Sequence, residues 1–344
     1  MSPSGRVGIV VLNWNGWQDT IVCLESLFRT DYPAFTVIVC DNGSEDGSLE
    51  KIAEWAEGRR NASTQSSDTA ILMHVVPAVP KPIPYHCYDR EELLSLQPAD
   101  TPQVPLLLIN NGSNLGFAGG NNTALSYLLA QGVYSYAWVL NNDTVVDSRA
   151  LTELVNAMSL HPTVGICGSL LLRYDRPELV QSAGARYNQW LGVVKHLGYD
   201  QHADSYTADG RWDYLVGASM LVSTAFIRDI GLMSEDYFIY YEELDWIKRA
   251  KGNYDLYLET KSIVYHKEGA TVGSSSSPGT RRKSLTADFY AIRNRLLYTK
   301  KYIPLALPTI YLSLIASIMI RCARREFSHA VMVLRIMLGL QSKP

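Results

Sequence analysis

The stretch Val139-Leu-Asn-Asn-Asp143-Thr is the most informative part of the chain. Strand-forming residues from Tyr136 to Leu140 end there in Asn141, Asn142 and Asp143. In an open parallel sheet, ligands bind in the crevice beyond the carboxyl ends of the strands. A carboxylate flanked by amides at that place suits a divalent cation that takes oxygen ligands and shares them with a phosphate. Asn and Asp are also common in turns and at helix caps. The ends of the other strands are therefore needed to distinguish a ligand site from a plain turn.

The wider pattern predicts a doubly wound, mostly parallel α/β sheet, because strands and helices alternate over the first 160 residues. Strands are expected at 7–12, 35–40, 104–109, 136–140, 164–172, 215–222 and 262–265. Residues 59–105 lose periodicity and hold seven of the fifteen prolines. We expect that segment to be a surface insertion or mobile loop outside the core.

Four strand ends in succession run into polar, glycine-rich sequence. They are Asn13-Trp-Asn-Gly16, Asp41-Asn-Gly-Ser44, Asn114–Asn122 and Asn141-Asn-Asp143. Each alone is typical of a plain turn, but together at one edge of a parallel sheet they indicate a nucleotide site. Asp41 could accept a hydrogen bond from the imide N–H of uracil or thymine. Gly116, Gly119 and Gly120 allow the backbone to approach a phosphate or sugar ahead of a helix N-terminus.

Further along, Asp236-Tyr-Phe-Ile-Tyr-Tyr-Glu-Glu243-Leu-Asp245-Trp enters a helix. Acids in a first helical turn are often dipole and capping residues. The functional interpretation is that an acid among these aromatic rings is partly desolvated, so its pKa rises toward that of a general base. His266 follows a predicted strand and precedes Lys267–Gly273. A single histidine is commonly structural, yet this position makes it a candidate metal or diphosphate contact.

Composition excludes some classes of function. With 47% hydrophobic and 19% charged residues the 344-residue chain is globular, and a net charge of −3 favours no nucleic-acid partner. The five scattered cysteines lack metal-ligand spacing. The first residues lead into a strand without a signal-peptide pattern, so we expect a cytoplasmic protein.

The order of the motifs at the four strand ends and at residues 236–246 resembles that of family-two glycosyltransferases of the GT-A fold, closest to the rhamnosyltransferase-like branch that builds bacterial surface polysaccharides. The resemblance covers about Val7 to Tyr302, interrupted by residues 59–105, and includes Tyr290-Ala-Ile-Arg293-Asn294. It implies a GT-A domain over residues 1–300, with a nucleotide half, an acceptor half and a helical tail at 301–344.

The resemblance also implies roles for individual residues. The nucleotide and donor would be held by a polar set: Asn13, Asn15, Asp41, Asn114, Gly116, Phe117, Gly119, Gly120, Asn121 and Asn142. Asp143 ends the metal motif, in which Asn141 and Asn142 replace the usual acids, so Mg²⁺ or Mn²⁺ would also need His266, diphosphate oxygens and water. Glu243 matches the catalytic base, with Glu242 and Asp245 as substitutes.

The implied reaction is an inverting single displacement. A rhamnose-like or other hexose would pass from a dTDP- or UDP-linked donor to a hydroxyl of a glycan or lipid-linked glycan. A sugar nucleotidyltransferase is one alternative, although the first loop has no Lys or Arg for a triphosphate. A non-catalytic sugar-nucleotide-binding module is another.

The tail contains nineteen uncharged residues, Tyr302 to Ile320, between Lys300-Lys301 and Arg321. This barely reaches the roughly 20 residues of a spanning helix, and Pro304 and Pro308 shorten it. Basic flanks favour a helix lying on an anionic inner leaflet. A buried core helix or a homo-oligomer interface is the alternative.

Overall fold

The computed structural model describes residues 5–64, 66–100, 103–208, 210, 212–267 and 284–340. Its strands are β1 (Arg6–Asn13), β2 (Phe35–Asp41), β3 (Tyr85–Asp89), β4 (Leu106–Asn110), β5 (Tyr134–Asn141), β6 (Thr144–Val146), β7 (Val164–Arg173), β8 (Val180–Ser182), β9 (Ala185–Asn188), β10 (Val193–His196), β11 (Ser219–Ser223) and β12 (Asp255–His266).

Helices cover both faces of the sheet. They are α1 (Trp17–Leu27), α2 (Ser48–Ala56), α3 (Thr69–Leu72), α4 (Arg90–Ser95), α5 (Gly116–Gln131), α6 (Ala150–Leu160), α7 (Thr224–Ile230), α8 (Glu242–Ala250), α9 (Leu285–Tyr302), α10 (Leu307–Ala323) and α11 (Phe327–Met337), with 3-10 turns at Pro98–Asp100, Ala203–Ser205 and Pro304–Ala306.

Ten strands form one mixed sheet in the order β3-β4-β2-β1-β5-β11-β7-β12-β6, with β8 paired to β7. The first five strands in that order are mutually parallel, while β11 runs antiparallel to β5 and β7. Strands β9 and β10 form a separate hairpin. Two hydrophobic clusters lie on the two faces of the sheet, as alternate residues of β1 show: Val10 belongs to one cluster, and Ile9 and Val11 to the other. The predicted doubly wound α/β sheet is confirmed.

The segment 59–105 differs from its prediction. Strand β3 pairs in parallel with β4 at the edge of the sheet. Ile71, Val75 and Leu93 are buried in one core cluster, and Val79 and Ile83 in the other. The expectation that this segment lies outside the core is therefore wrong. Short helices and an edge strand bury isolated apolar side chains without producing the periodicity that sequence analysis detects.

The C-terminal helices form a hairpin, α10 and α11, against α9. Its inner side chains, including Ile310, Leu314 and Val333, are buried with Phe289 and Tyr290 of α9. The polar face of α10 also points inward: Ser313 accepts a hydrogen bond from Arg295 at 2.6 Å, and Arg321 pairs with Asp288 at 2.7 Å.

The opposite face of the hairpin is apolar and exposed. Leu312 and Met319 of α10 are 65% and 67% exposed, and Leu338 after α11 is 64% exposed. In the described part of the chain one helical stretch, Pro304–Ala323, is long and apolar enough to cross a membrane, with a mean hydropathy of 1.8. A core-helix role for these outer side chains is excluded by their exposure.

Candidate active site

The polar strand ends meet at one edge of the sheet, as predicted. Asn13 on β1 stands beside Asp41 on β2, Asp41 stands beside Asn110 on β4, and Asn141 on β5 pairs with Leu12. A cleft of about 2730 Å³ opens over this edge. That volume can admit two substrates together, since a pocket for one drug-sized ligand measures about 300–1,000 Å³.

Asp143 and His266 face each other in the cleft. The link between β5 and β6 carries Asp143, and β12 ends at His266, so the pairing of β6 with β12 brings them together. Asp143 Oδ1 lies 3.2 Å from His266 Nε2, and both side chains are buried. Burial alone would raise the pKa of Asp143, but His266 outweighs it, so the pKa of that carboxyl lies below its ordinary value.

Gln181 of β8 fixes the orientation of the imidazole. Its Nε2 donates to the His266 carbonyl at 3.1 Å, so its Oε1, 2.7 Å from His266 Nδ1, must accept the Nδ1 proton. Asn141 Nδ2 lies 3.3 Å from Nε2 and can donate to it. With the proton on Nδ1, a neutral His266 keeps its lone pair on Nε2, the nitrogen nearest to Asp143, which is the tautomer a metal ligand requires. Sequence analysis missed Gln181, because it lies in a stretch, 173–213, without a recognisable motif.

The pair fits a divalent cation. The 3.2 Å between Asp143 Oδ1 and His266 Nε2 is close to the spacing of about 3 Å between neighbouring ligands of an octahedral cation with bonds of about 2.1 Å. No group of three or more His, Cys, Asp or Glu side chains able to hold a metal occurs among the described residues. The described residues thus offer two ligands there, consistent with the prediction that the donor and water complete the set.

The side chains of Asn142 and Asn15 stabilise the first loop, Asn13–Gly16. Asn142 Nδ2 donates to Thr20 Oγ1 at 3.0 Å, and Thr20 Oγ1 donates to Asn13 Oδ1 at 2.7 Å. Asn142 also lines the cleft. Asn15 joins the first two loops, because its backbone N–H donates to Ser44 Oγ and its side chain accepts from Glu45 N–H, both at 2.8 Å.

Asp41 is buried beneath these loops. Asn13 Nδ2 and Ser44 Oγ both donate to its Oδ2 at 2.6 Å, and Ser44 N–H donates to Oδ1 at 2.8 Å. A carboxylate has about four acceptor sites, so one remains on Oδ1. Asp41 is not among the described residues that line the cleft, whereas Asn42 and Trp14 are. Recognition of a base by Asp41 stays a prediction.

Trp14 is a site feature that sequence analysis passed over. It follows Asn13, is 38% exposed and lines the cleft. A large aromatic ring left exposed in a polar loop is the signal that could have identified it, because such rings bind planar or apolar ligand surfaces.

Gly116, in the glycine-rich loop, lies close to the backbone of Phe238. Gly116 has φ +74°, and a Cβ there would lie 2.3 Å from the Phe238 carbonyl oxygen. Asn114 Oδ1 caps the loop by accepting from Gly116 N–H at 3.0 Å, and Phe117 N–H donates to the Phe238 carbonyl at 2.7 Å. The expected close approach therefore joins this loop to the segment before α8. Asn114, Gly116 and Phe117 line the cleft.

The remaining predicted donor residues lie inside α5. Gly119, Gly120 and Asn121 are buried there. A Cβ on Gly120 would lie 2.3 Å from the Leu12 side chain, and one on Gly119 would meet Leu115 at 2.9 Å. Among described residues they do not line the cleft. The small size of the two glycines serves helix packing, and Asn121 Nδ2 donates to the Phe117 carbonyl at 2.9 Å. Direct contact with the donor is therefore not supported for these three residues.

Glu243, in the first turn of α8, lines the cleft. Its Oε1 accepts from Gly217 N–H at 3.4 Å, and a Cβ on Gly217 would lie 3.1 Å from that oxygen. Burial raises the pKa of Glu243 above its ordinary value of 4.5. A half-buried carboxylate with a raised pKa at a cleft wall has the properties of a general base.

The two substitute acids behave differently. Glu242 lines the cleft but is only 3% exposed, and its Oε2 has no hydrogen-bond partner within the described structure. Burial, followed by the charge of Glu243, raises the pKa of Glu242 well above 4.5. Asp245 is fully buried and accepts from Lys301, Tyr302 and Arg249 at 2.8, 2.7 and 2.8 Å. Asp245 connects α8 to α9 and does not belong to the described cleft lining, so it is not retained as a base.

Comparison with known proteins agrees with this geometry. A family model described as glycosyl transferase family 2 matches residues 8–66. The hexosyltransferase Agl10 of low-salt glycan biosynthesis in Haloferax volcanii is 27% identical over 148 residues, 42% of this chain and 45% of that protein. Together with the fold, these matches support a family-2 glycosyltransferase. The match spans less than half the length of the curated relative.

Two solved structures share the fold of this chain. The mannosyltransferase PcManGT from Pyrobaculum calidifontis, in complex with GDP-Man and Mn²⁺, has a TM-score of 0.51 at 14% identity and covers 97% of this chain and 86% of its own. GalNAc-T7 with UDP, GalNAc and Mn²⁺ has a TM-score of 0.59 at 14% identity, covering 89% and 50%. The predicted GT-A fold is thereby confirmed. Asp143, Glu243 and His266 lie outside the family-model match, so their roles stay proposals.

Proposed function

We propose that this family-2 glycosyltransferase moves a rhamnose-like or other hexose from a UDP- or dTDP-linked donor to a hydroxyl of a glycan or lipid-linked glycan, with inversion. The observation that carries the proposal is that Glu243 and the Asp143–His266 pair line one cleft. A general base and a pair of side chains that can hold a metal with the donor diphosphate suit transfer of a sugar between two substrates bound in one cleft. The GDP-Man bound by one structural neighbour and the UDP bound by the other support a nucleotide-linked donor.

The proposed step is a single displacement. Glu243 accepts the proton of the acceptor hydroxyl while that oxygen forms a bond to the anomeric carbon. The bond from this carbon to the diphosphate oxygen breaks, and its electron pair leaves with the nucleoside diphosphate. General-base assistance of this kind contributes about 10²–10⁴ in rate.

Asp143 and His266 would hold Mg²⁺ or Mn²⁺ together with donor oxygens. When bound, such an ion neutralises charge that develops on the leaving diphosphate. Because the described part of the site supplies one carboxylate and one imidazole, we expect metal affinity to be weak until the donor adds its oxygens.

The first experiment is a screen of nucleotide sugars for thermal stabilisation with Mn²⁺ present, because a ligand that binds only the folded state must raise its stability. UDP- and dTDP-hexoses should raise the melting temperature, and the best of them should release a nucleoside diphosphate when acceptor is added. Release of pyrophosphate from a sugar phosphate and a nucleoside triphosphate would instead favour the nucleotidyltransferase alternative. Donor binding without hydrolysis or transfer would favour a binding module.

We further propose that the α10–α11 hairpin lies on the cytoplasmic face of a membrane. Polar side chains of α10 are occupied inside the protein, while Leu312, Met319 and Leu338 face outward. Arg324 and Arg325, between the two helices, are exposed and line the mouth of the cleft. An apolar face bordered by cations suits an anionic lipid surface. A lipid-linked acceptor would then reach Glu243 from that surface. A homo-oligomer through the same face is the competing proposal.

A further inference from the structure

We infer that Asn294 is a positioning residue that holds the strained turn before the proposed base. Asn294 lies on α9 within the Arg293-Asn294 pair, to which the function proposed above assigns no role. It is completely buried, and its Nδ2 donates to the carbonyls of Ile239 and Tyr240 at 2.8 and 3.0 Å. The inference rests on the proposed role of Glu243.

The turn itself is strained. Tyr240 and Tyr241 have φ of +70° and +80°, a left-handed conformation that side chains with a Cβ rarely adopt. Two such residues in succession cost energy and persist only where the surroundings hold them. Tyr241 is the N-cap of α8, so Glu242 and Glu243 follow the turn immediately. The direction in which Glu243 leaves the turn therefore depends on this backbone conformation.

Contacts from α9 fix the whole segment. Arg293 Nη1 donates to the Asp236 carbonyl at 2.9 Å and to Asn294 Oδ1 at 2.7 Å. Tyr290, one helical turn earlier, stacks on Phe238 with ring centroids 4.8 Å apart. Every polar atom of the Asn294 side chain is thus used in holding the turn or in holding Arg293.

The same segment also contacts the glycine-rich loop, which lines the cleft. The Phe238 carbonyl accepts from Phe117 N–H at 2.7 Å, next to Gly116. Glu243 and the glycine-rich loop are therefore attached to one rigid piece of backbone. Removing the Asn294 hydrogen bonds should displace Glu243 more than the glycine-rich loop. Phe238, which contacts that loop, keeps its stacking on Tyr290 and its hydrogen bond to Phe117.

Hydrogen exchange tests the inference without relying on activity. In Asn294→Asp, which keeps the shape of the side chain but loses the amide donors, exchange of backbone amides in residues 237–245 should rise at least about tenfold relative to the rest of the chain. Val155→Ala on α6 is the control, since it removes a buried side chain from the core cluster that contains no residue of the turn. Equal exchange in the two variants would overturn the inference. If Asn294→Asp does not fold, Arg293→Met should show a smaller increase in the same residues, and its absence counts equally against the inference.

Kinetics then distinguish a positioning role from a general structural one. We expect kcat of Asn294→Asp to fall about tenfold to a hundredfold, the effect of a small misplacement of a reacting group, while the KM for donor changes less than about threefold. Val155→Ala should retain kcat per folded molecule. Unchanged kcat in Asn294→Asp together with raised exchange would show that the turn does not position the base. Raised exchange in a protein without any transferase activity would instead count against the proposed function and leave the structural clamp intact.

Discussion

Asp143 Oδ1 lies 3.2 Å from His266 Nε2 although one residue follows β5 and the other ends β12. The short strand β6 creates this relationship, because its pairing with β12 places Thr144 opposite His266. The sheet topology therefore builds the proposed metal pair from two distant parts of the sequence.

Substitution of this pair should remove metal-dependent donor binding. Asp143→Ala loses the one carboxylate of the motif, so Mn²⁺ should no longer improve donor affinity in calorimetry, and transfer should cease. His266→Ala should weaken the same coupling less, as the loss of one ligand among several. Asp255→Asn, at the far end of β12, is the control. Full activity of Asp143→Ala in the presence of a chelator would contradict the assignment.

Gln181 gives a finer test of the same site. Gln181→Met removes the acceptor that orients His266 Nδ1–H and keeps a similar volume. Because loss of such a supporting partner typically costs about 10–100-fold in metal affinity, the Mn²⁺ concentration for half-maximal rate should rise by that factor. An unchanged Mn²⁺ dependence would mean that the His266 tautomer does not matter for binding.

Alanine substitutions at Gly116 and Gly112 form a matched pair that tests the close contact between the glycine-rich loop and Phe238. Both have positive φ, +74° and +72°, but a Cβ on Gly116 meets the Phe238 carbonyl at 2.3 Å, whereas one on Gly112 meets nothing within 4 Å. Each Ala substitution should cost about 1–2 kcal/mol for the left-handed conformation, and overpacking should add about 1–3 kcal/mol at Gly116 alone. Urea denaturation of the two variants measures the difference. Equal losses would show that the approach to Phe238 is not tight.

Glu242 predicts a pH-dependent stability. Burial raises its pKa well above 4.5, so between the unfolded and folded pKa values the native state binds more protons and stability falls as pH rises. Glu242→Gln imitates the protonated form. Its free energy of unfolding should match that of the parent below about pH 4 and exceed it increasingly at higher pH. Denaturation at several pH values, with exposed Glu91→Gln as control, tests this, and a constant offset would contradict it.

The hairpin proposal is tested by changing exposed side chains only. Leu312→Gln, Met319→Gln and Leu338→Gln combined should leave the melting temperature nearly unchanged, because all three side chains are exposed, and should abolish binding to anionic vesicles. Leu160→Gln, at a leucine that is 76% exposed on α6, is the control. Deletion after Tyr302 is unsuitable, since Ile310 and Val333 are buried against α9. Loss of a dimer rather than of vesicle binding would support the homo-oligomer alternative.

Long buried strands were predictable because both faces of β1, β2 and β5 are apolar. Strand β3 was not, since Tyr85–Asp89 is a largely exposed edge strand without an apolar run. The sequence motifs located Asp143, His266 and Glu243 in the cleft. Gln181 could not be found in this way, because its role arises from the pairing of β8 with β7. Residues 268–273, which continue the loop after His266, lie outside the described residues.

The measurement that tests the central claim most directly is the steady-state rate of nucleoside diphosphate release by Glu243→Gln, using the UDP- or dTDP-hexose selected by thermal stabilisation. Glu243→Gln keeps the shape of the side chain but cannot accept the proton. We expect kcat to fall at least about a hundredfold while the dissociation constant of the donor stays nearly unchanged. A variant that retains the parent kcat, or loses donor binding in proportion to rate, would contradict the assignment of Glu243 as the base.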